Sequence, residues 1–158
     1  MYRREDAKAI SRFEEALAIF ERLDARFYCA IVQGELGTCY TYLGQTDKAL
    51  ELLERTAAIF QANGALAHYQ VSLADIGNVY LYRREFLTAI SYYQQALDLA
   101  RQLGDQLSVA KWLRNLAQAY SHLGNPALAQ GFEDEAKQIN DRVAVERQRA
   151  GEIAAPAK

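Results

Sequence analysis

Residues 66–103 read LAHYQVSLADIGNVYLYRREFLTAISYYQQALDLARQL, and this stretch decides the fold. Its apolar residues recur at three- and four-residue steps on either side of a short polar break at Arg84-Glu85. That spacing predicts two amphipathic helices, a first over 66–83 and a second over 86–103. So short a connection turns them antiparallel. A single hairpin of this kind cannot bury its own apolar face, so like units must stack on it.

Like units flank it on both sides. Shifting the sequence by 40 residues superposes Leu36, Ile76 and Leu116, then Gly37, Gly77 and Ala117, then Tyr40, Tyr80 and Tyr120. Gly44 and Gly124 coincide with Arg84 between them, and Ala49, Ala89 and Ala129 form a further column. Thr56, Ala96 and Ala136 form another, and the frame extends back to Ala9, Ala16 and Phe20. The expected organisation is one domain over 1–150. It holds a half repeat at 4–22, full repeats at about 28–62, 66–103 and 106–149, and a disordered tail at 151–158. Small residues at 37, 77 and 117 and at 49, 89 and 129 let paired helices approach closely.

The punctuation agrees with this frame. Asn63-Gly64 and Gly104-Asp105 read as helix stops followed by starts, with glycine in the left-handed conformation and aspartate as a cap. Gly124-Asn125-Pro126 places glycine after one helix, asparagine at the next N-cap and proline at its first turn.

Composition excludes several classes. The 158 residues are 51% hydrophobic and 24% charged, which is globular, and the net charge is −2. Such a balance provides no footprint for nucleic acid, and basic doublets such as Arg83-Arg84 are interleaved with acids. No apolar run approaches the roughly 20 residues of a membrane span, so the expected compartment is the cytosol. Cys29 and Cys39 fall on one helix, too far apart for a disulfide, and read as small buried packing residues. His68 and His122 lie in different repeats, and no nucleophile, metal or nucleotide motif accompanies them. The expectation is no enzyme, no metal and no cofactor.

Leu36-Gly37-x-x-Tyr40 with Gly44 and Ala49 resembles the tetratricopeptide repeat. Ile76-Gly77-x-x-Tyr80 with Phe86, Ala89, Tyr93, Ala96 and Leu97 resembles it more fully, and Leu116-Ala117-x-x-Tyr120 with Gly124 and Ala129 resembles it again. The long period, Leu-Gly-Asp at 103–105 and Arg-Asn-Leu-Ala at 114–117 are similar to the subclass found in kinesin light chains and LGN-like polarity adaptors. The resemblance implies an all-α, right-handed solenoid of antiparallel hairpins with about seven helices. Arg84 in a glycine slot, Glu133 in an aromatic or aliphatic slot, and the missing first helix of the opening repeat depart from the pattern.

In that family the first helices line a concave surface. The register sets Thr38, Asn78 and Gln118 in one groove column, and Tyr42, Tyr82 and His122 in a second. Glu35, Asp75 and Asn115 flank them, with Lys111 and Arg114 adding positive charge. The resemblance implies that Asn78 and Asn115 hold a peptide backbone, donating to its carbonyls and accepting from its N–H groups. The graded charge predicts a ligand whose acidic group meets Lys111 and Arg114. The pattern is not the chaperone-binding carboxylate clamp, which draws on a first helix that is missing here. The functional expectation is a non-catalytic module that binds a protein or peptide. Two alternatives stand beside it: a sensor of a peptide or small ligand, and a structural unit that homodimerises through its terminal helices. An apolar stripe of Ile10, Phe13, Leu17 and Phe20 and a seam of Ala129, Phe132, Ala136, Ile139 and Val143 supply those helices.

Overall fold

The computed structural model describes residues 2–154, with side chains described over 8–150. Among the described residues there are seven α-helices and no strand. They are α1 (Tyr2–Arg22), α2 (Arg26–Tyr42), α3 (Thr46–Ala62), α4 (Leu66–Tyr82), α5 (Phe86–Leu103), α6 (Gln106–His122) and α7 (Pro126–Ala154). Each helix packs on its chain neighbours, and α2 also touches α4, so the first helices of successive hairpins lie side by side. This is the expected solenoid of about seven helices.

All six connections use one backbone solution. Asp24, Gly44, Gly64, Arg84, Gly104 and Gly124 each have positive φ, between 49° and 81°. The Gly44 N–H bonds the Thr41 carbonyl at 3.0 Å, and the Gln45 N–H bonds the Tyr40 carbonyl at 2.9 Å. The same pair of bonds closes every turn, satisfying carbonyls the helix end would otherwise leave open. The left-handed residues recur every 20 positions, half the side-chain period. The backbone therefore repeats helix by helix, and the side chains alternate between two helix roles. Two starts carry caps: Asp105 accepts from the Ser108 N–H at 3.1 Å, and Asn125 from the Leu128 N–H at 3.2 Å.

The small-residue columns mark where helices touch. A β-carbon at Gly37 would lie 2.7 Å from Leu53 Cγ, and one at Gly77 would lie 2.7 Å from Tyr93 Cε1. The third repeat carries Glu133 in that partner position, and Glu133 is exposed, which leaves room for the methyl of Ala117. Thr56, fully buried in an alanine column, donates its hydroxyl to the Leu53 carbonyl at 2.9 Å. Tyr40, Tyr80 and Tyr120 share half-buried surroundings. Tyr80 stacks on Tyr92 and Tyr120 on Phe132, each with ring centroids 5.5 Å apart, and the Lys48 ammonium lies over the Tyr40 ring. The core is continuous from Leu73 and Ala74 to Ile139, with Trp112 and Tyr93 its largest buried side chains.

The ends differ from each other. Ala136 and Ile139 are buried, and Phe132 and Val143 pack against the same core, so the α7 seam is consumed by α6. In α1, Ile10, Phe13, Leu17 and Phe20 stay half-buried and no described residue is fully buried. Helix α7 runs to Ala154, so residues 151–154 of the expected disordered tail are helical; Gly151 alone costs only about 1 kcal/mol of helix propensity, and after Pro126 at the helix start the next proline stands at 156. Residues 155–158 of that expected tail lie outside the described residues. Cys29 and Cys39 both fall on α2, as expected, but are half-buried where full burial was expected, because they sit on its flanks.

Candidate functional site

The last turns of the three first helices converge on one recess. Tyr42 from α2, Asn78 and Tyr82 from α4, and Gln118 and His122 from α6 line a cavity of about 350 Å³ together with Thr41 and Leu81. These five residues belong to two adjacent columns of the 40-residue register, which is why the stacking brings them together. Tyr42 and Tyr82 are 69% and 54% exposed, unusual for tyrosines in a molecule with so much apolar core to fill. The Tyr82 hydroxyl lies over the α2–α3 turn, 3.0 Å from where a β-carbon at Gly44 would stand. An ion pair between Arg83 and Asp47 ties the same end of α4 to the start of α3.

A second recess of about 570 Å³ adjoins the first between α6 and α7. Arg114, Asn115, Gln118 and His122 line it together with Ala117, Pro126 and Glu133, so Gln118 and His122 face both cavities. The His122 ring stacks on Phe86 with centroids 5.3 Å apart and planes 8° from parallel, which fixes the ring between the cavities.

The polar floor is hydrogen-bonded. The Tyr93 hydroxyl donates to Asn78 Oδ1 at 2.7 Å, and Asn115 Nδ2 approaches the same oxygen at 3.5 Å. Asn78 Nδ2 donates to Asp75 Oδ1 at 3.3 Å. The expectation that Asn78 both donates to and accepts from a peptide is thereby corrected: its oxygen is already taken, and only an N–H remains. Asp75 is half-buried, and burial raises its carboxyl from 3.8 to about 7; Lys111 opposes the rise, and Glu35 adds to it.

Not every residue of the register faces the cavities. The Thr38 hydroxyl turns back to the Gly34 carbonyl at 3.3 Å, a bond within its own helix. The Lys111 ammonium lies 4.7 Å from the centroid of the Trp112 ring and lines neither recess, so Arg114 is the cation that faces a cavity. Glu133 shares that cavity and offsets part of its charge. Sequence reasoning did not place Tyr93, Phe86 or Glu133 at this site. A tyrosine opposite Gly77, in the slot that holds Leu53 one repeat earlier, was the available signal.

Among the described residues no helix is long and apolar enough to cross a membrane, and no cluster of three His, Cys, Asp or Glu residues could hold a metal ion. The family model described as tetratricopeptide repeat matches residues 1–62 and 65–141. No curated protein matches the chain. Among solved structures, BtubC (BKLC) from P. vanneervenii is similar with a TM-score of 0.74 and 19% identity, over 98% of this chain and 60% of that one. The apo form of RapI is similar with a TM-score of 0.74 and 17% identity, over 90% of this chain and 40% of that one. A Podosopora anserina putative kinesin light chain with nearly identical repeats is similar with a TM-score of 0.68 and 21% identity, over 88% of this chain and 68% of that one. The chain thus spans less than two thirds of the length of the first two.

Proposed function

The chain belongs to the tetratricopeptide repeat family, and from that premise we propose that it is a non-catalytic interaction module whose first-helix face holds a peptide or a segment of a partner protein. One observation carries the reading: side chains from α2, α4 and α6 meet around a single open recess. Exposed tyrosines there offer contact area at low entropic cost, and the amides offer directional hydrogen bonds. The adjoining cavity at Arg114 is the place for an acidic group of the ligand, as a carboxylate would form charge-assisted bonds to the guanidinium. The working compartment in this reading is the cytosol.

The test is affinity capture from the native source with quantitative mass spectrometry, comparing the wild-type chain with a Lys111→Ala/Arg114→Ala double variant and with Tyr42→Ala/Tyr82→Ala. Partners lost with both variants support the groove reading. A partner set that neither variant changes rejects it.

A second reading rests on α1, whose apolar stripe is only half covered. Self-association through this helix would bury it. Light scattering at high micromolar concentration decides between them, since a monomer ends the second reading and leaves the first intact.

A further inference from the structure

A core residue reaches the groove. Tyr93 belongs to α5, an outer helix, and none of its surface is exposed. Its ring passes across the gap that Gly77 leaves in α4, and its hydroxyl ends 2.7 Å from the Asn78 oxygen at the cavity floor. Neighbouring repeats have no counterpart. Leu53 fills the equivalent slot without a polar atom, and Glu133, in the slot after it, is exposed and lines the adjoining recess beside Arg114 rather than reaching Asn78.

The hydrogen bonds set the direction of the Asn78 amide. Asp75 Oδ1 accepts from Asn78 Nδ2 at 3.3 Å, which a carboxyl oxygen without a proton does whether or not its partner oxygen carries one. Asn78 Oδ1 then points the other way, and Tyr93 must donate to it. Asn115 adds a long second contact to the same oxygen. What remains of Asn78 at the cavity is one N–H.

We infer that Tyr93 is a positioning residue of the groove: its hydroxyl, passed through the Gly77 gap, holds the Asn78 amide so that the ligand must offer a hydrogen-bond acceptor there. A backbone carbonyl of a bound peptide has this chemistry. The inference rests on the groove reading above and deepens it, because it specifies the polarity of one contact. Without the hydroxyl the amide rotates, and the groove loses a donor already aimed at the ligand.

The experiment begins with selection from a phage-displayed random dodecapeptide library on the wild-type chain, with counter-selection on Asn78→Ala. The affinity of a selected synthetic peptide is then measured by calorimetry against three proteins: wild type, Tyr93→Phe and Leu97→Val. Tyr93→Phe keeps the ring in the Gly77 gap and deletes only the hydroxyl. Leu97→Val trims the same buried helix face without touching Asn78. The expected result is a five- to tenfold loss of affinity with Tyr93→Phe and less than a twofold change with Leu97→Val. An Asn78-dependent peptide that Tyr93→Phe holds as tightly as wild type overturns the inference alone. Equal losses from both variants overturn it too, since the effect would then be one of core stability. A selection that returns no Asn78-dependent peptide overturns the groove reading and the inference with it.

Discussion

The ring of Tyr93 occupies the space that a side chain at Gly77 would need, its Cε1 lying 2.7 Å and its Cδ1 2.9 Å from an ideal β-carbon there. Gly77→Ala gains about 1 kcal/mol of helix propensity but must displace a rigid ring in a packed core, which costs roughly 1–3 kcal/mol, and the Tyr93 bond to Asn78 goes with it. The net expectation is a loss of about 1–2 kcal/mol in urea denaturation. Gly37→Ala meets Leu53, a side chain that can change rotamer, and should cost less. Equal effects at the two positions would show that the ring is not what the glycine accommodates.

Arg84 holds φ at 65° in the turn where the flanking repeats have glycine at 44 and 124. A β-carbon in the left-handed region costs roughly 1–2 kcal/mol, partly offset by the greater unfolded-state freedom of glycine. Arg84→Gly should therefore stabilise the chain by about 1 kcal/mol and raise its thermal midpoint by several degrees. Asp24, at φ 49°, should show the same sign. A lowered midpoint at both positions would contradict the backbone argument.

Trp112 is the single tryptophan, and it is buried. Its Nε1 donates to Gln70 Oε1 at 3.3 Å, and Gln70 Nε2 donates in turn to Asp105 Oδ2 at 3.3 Å. This bridge ties α4 to α6 and to the turn that starts α6. Gln70→Leu fills a similar volume but strands the indole N–H, at a cost of about 1–3 kcal/mol. Tryptophan fluorescence follows the unfolding directly, and an unchanged midpoint would remove the bridge from the list of stabilising contacts.

The helices and turns were legible because local chemistry specifies them: apolar steps of three and four, glycines at helix ends, and Asp105 and Asn125 at helix starts. The 20-residue repeat of the turns was less legible, since the Leu and Tyr columns fall on first helices alone, the Ala49 column falls on second helices, and Asp24 and Arg84 stand where glycine would mark the turn. In the groove, the register brought Tyr42, Asn78, Tyr82, Gln118 and His122 to one cavity. It could not foresee local competition for side-chain groups. Thr38 prefers its own helix carbonyl, and Lys111 lies over Trp112. Arg83, one of a basic doublet interleaved with acids, pairs with Asp47 of the preceding hairpin, 36 residues away. Tyr93 was legible as core and invisible as groove, because only the three-dimensional gap at Gly77 joins the two roles.

Asp75 makes stability depend on pH near neutrality. Its carboxyl is raised from 3.8 to about 7, chiefly by burial. The folded chain therefore keeps this proton to higher pH than the unfolded chain does. Its contribution is fully present below 3.8, declines as pH rises through the interval to 7, and is gone above it. Asp75→Asn stays neutral throughout and can still accept from Asn78. At pH 8 the variant should be more stable than wild type by about 2–4 kcal/mol, and at pH 4 the gap should fall below about 1 kcal/mol. Asp105, lowered from its ordinary value chiefly by hydrogen bonding with Ser108, acts with the opposite sign in acid. It is present in both proteins and cancels in the comparison. Urea titrations of the pair at the two pH values measure the difference, and a gap that stays constant from pH 4 to pH 8 would mean that Asp75 ionises as freely in the folded chain as in the unfolded one.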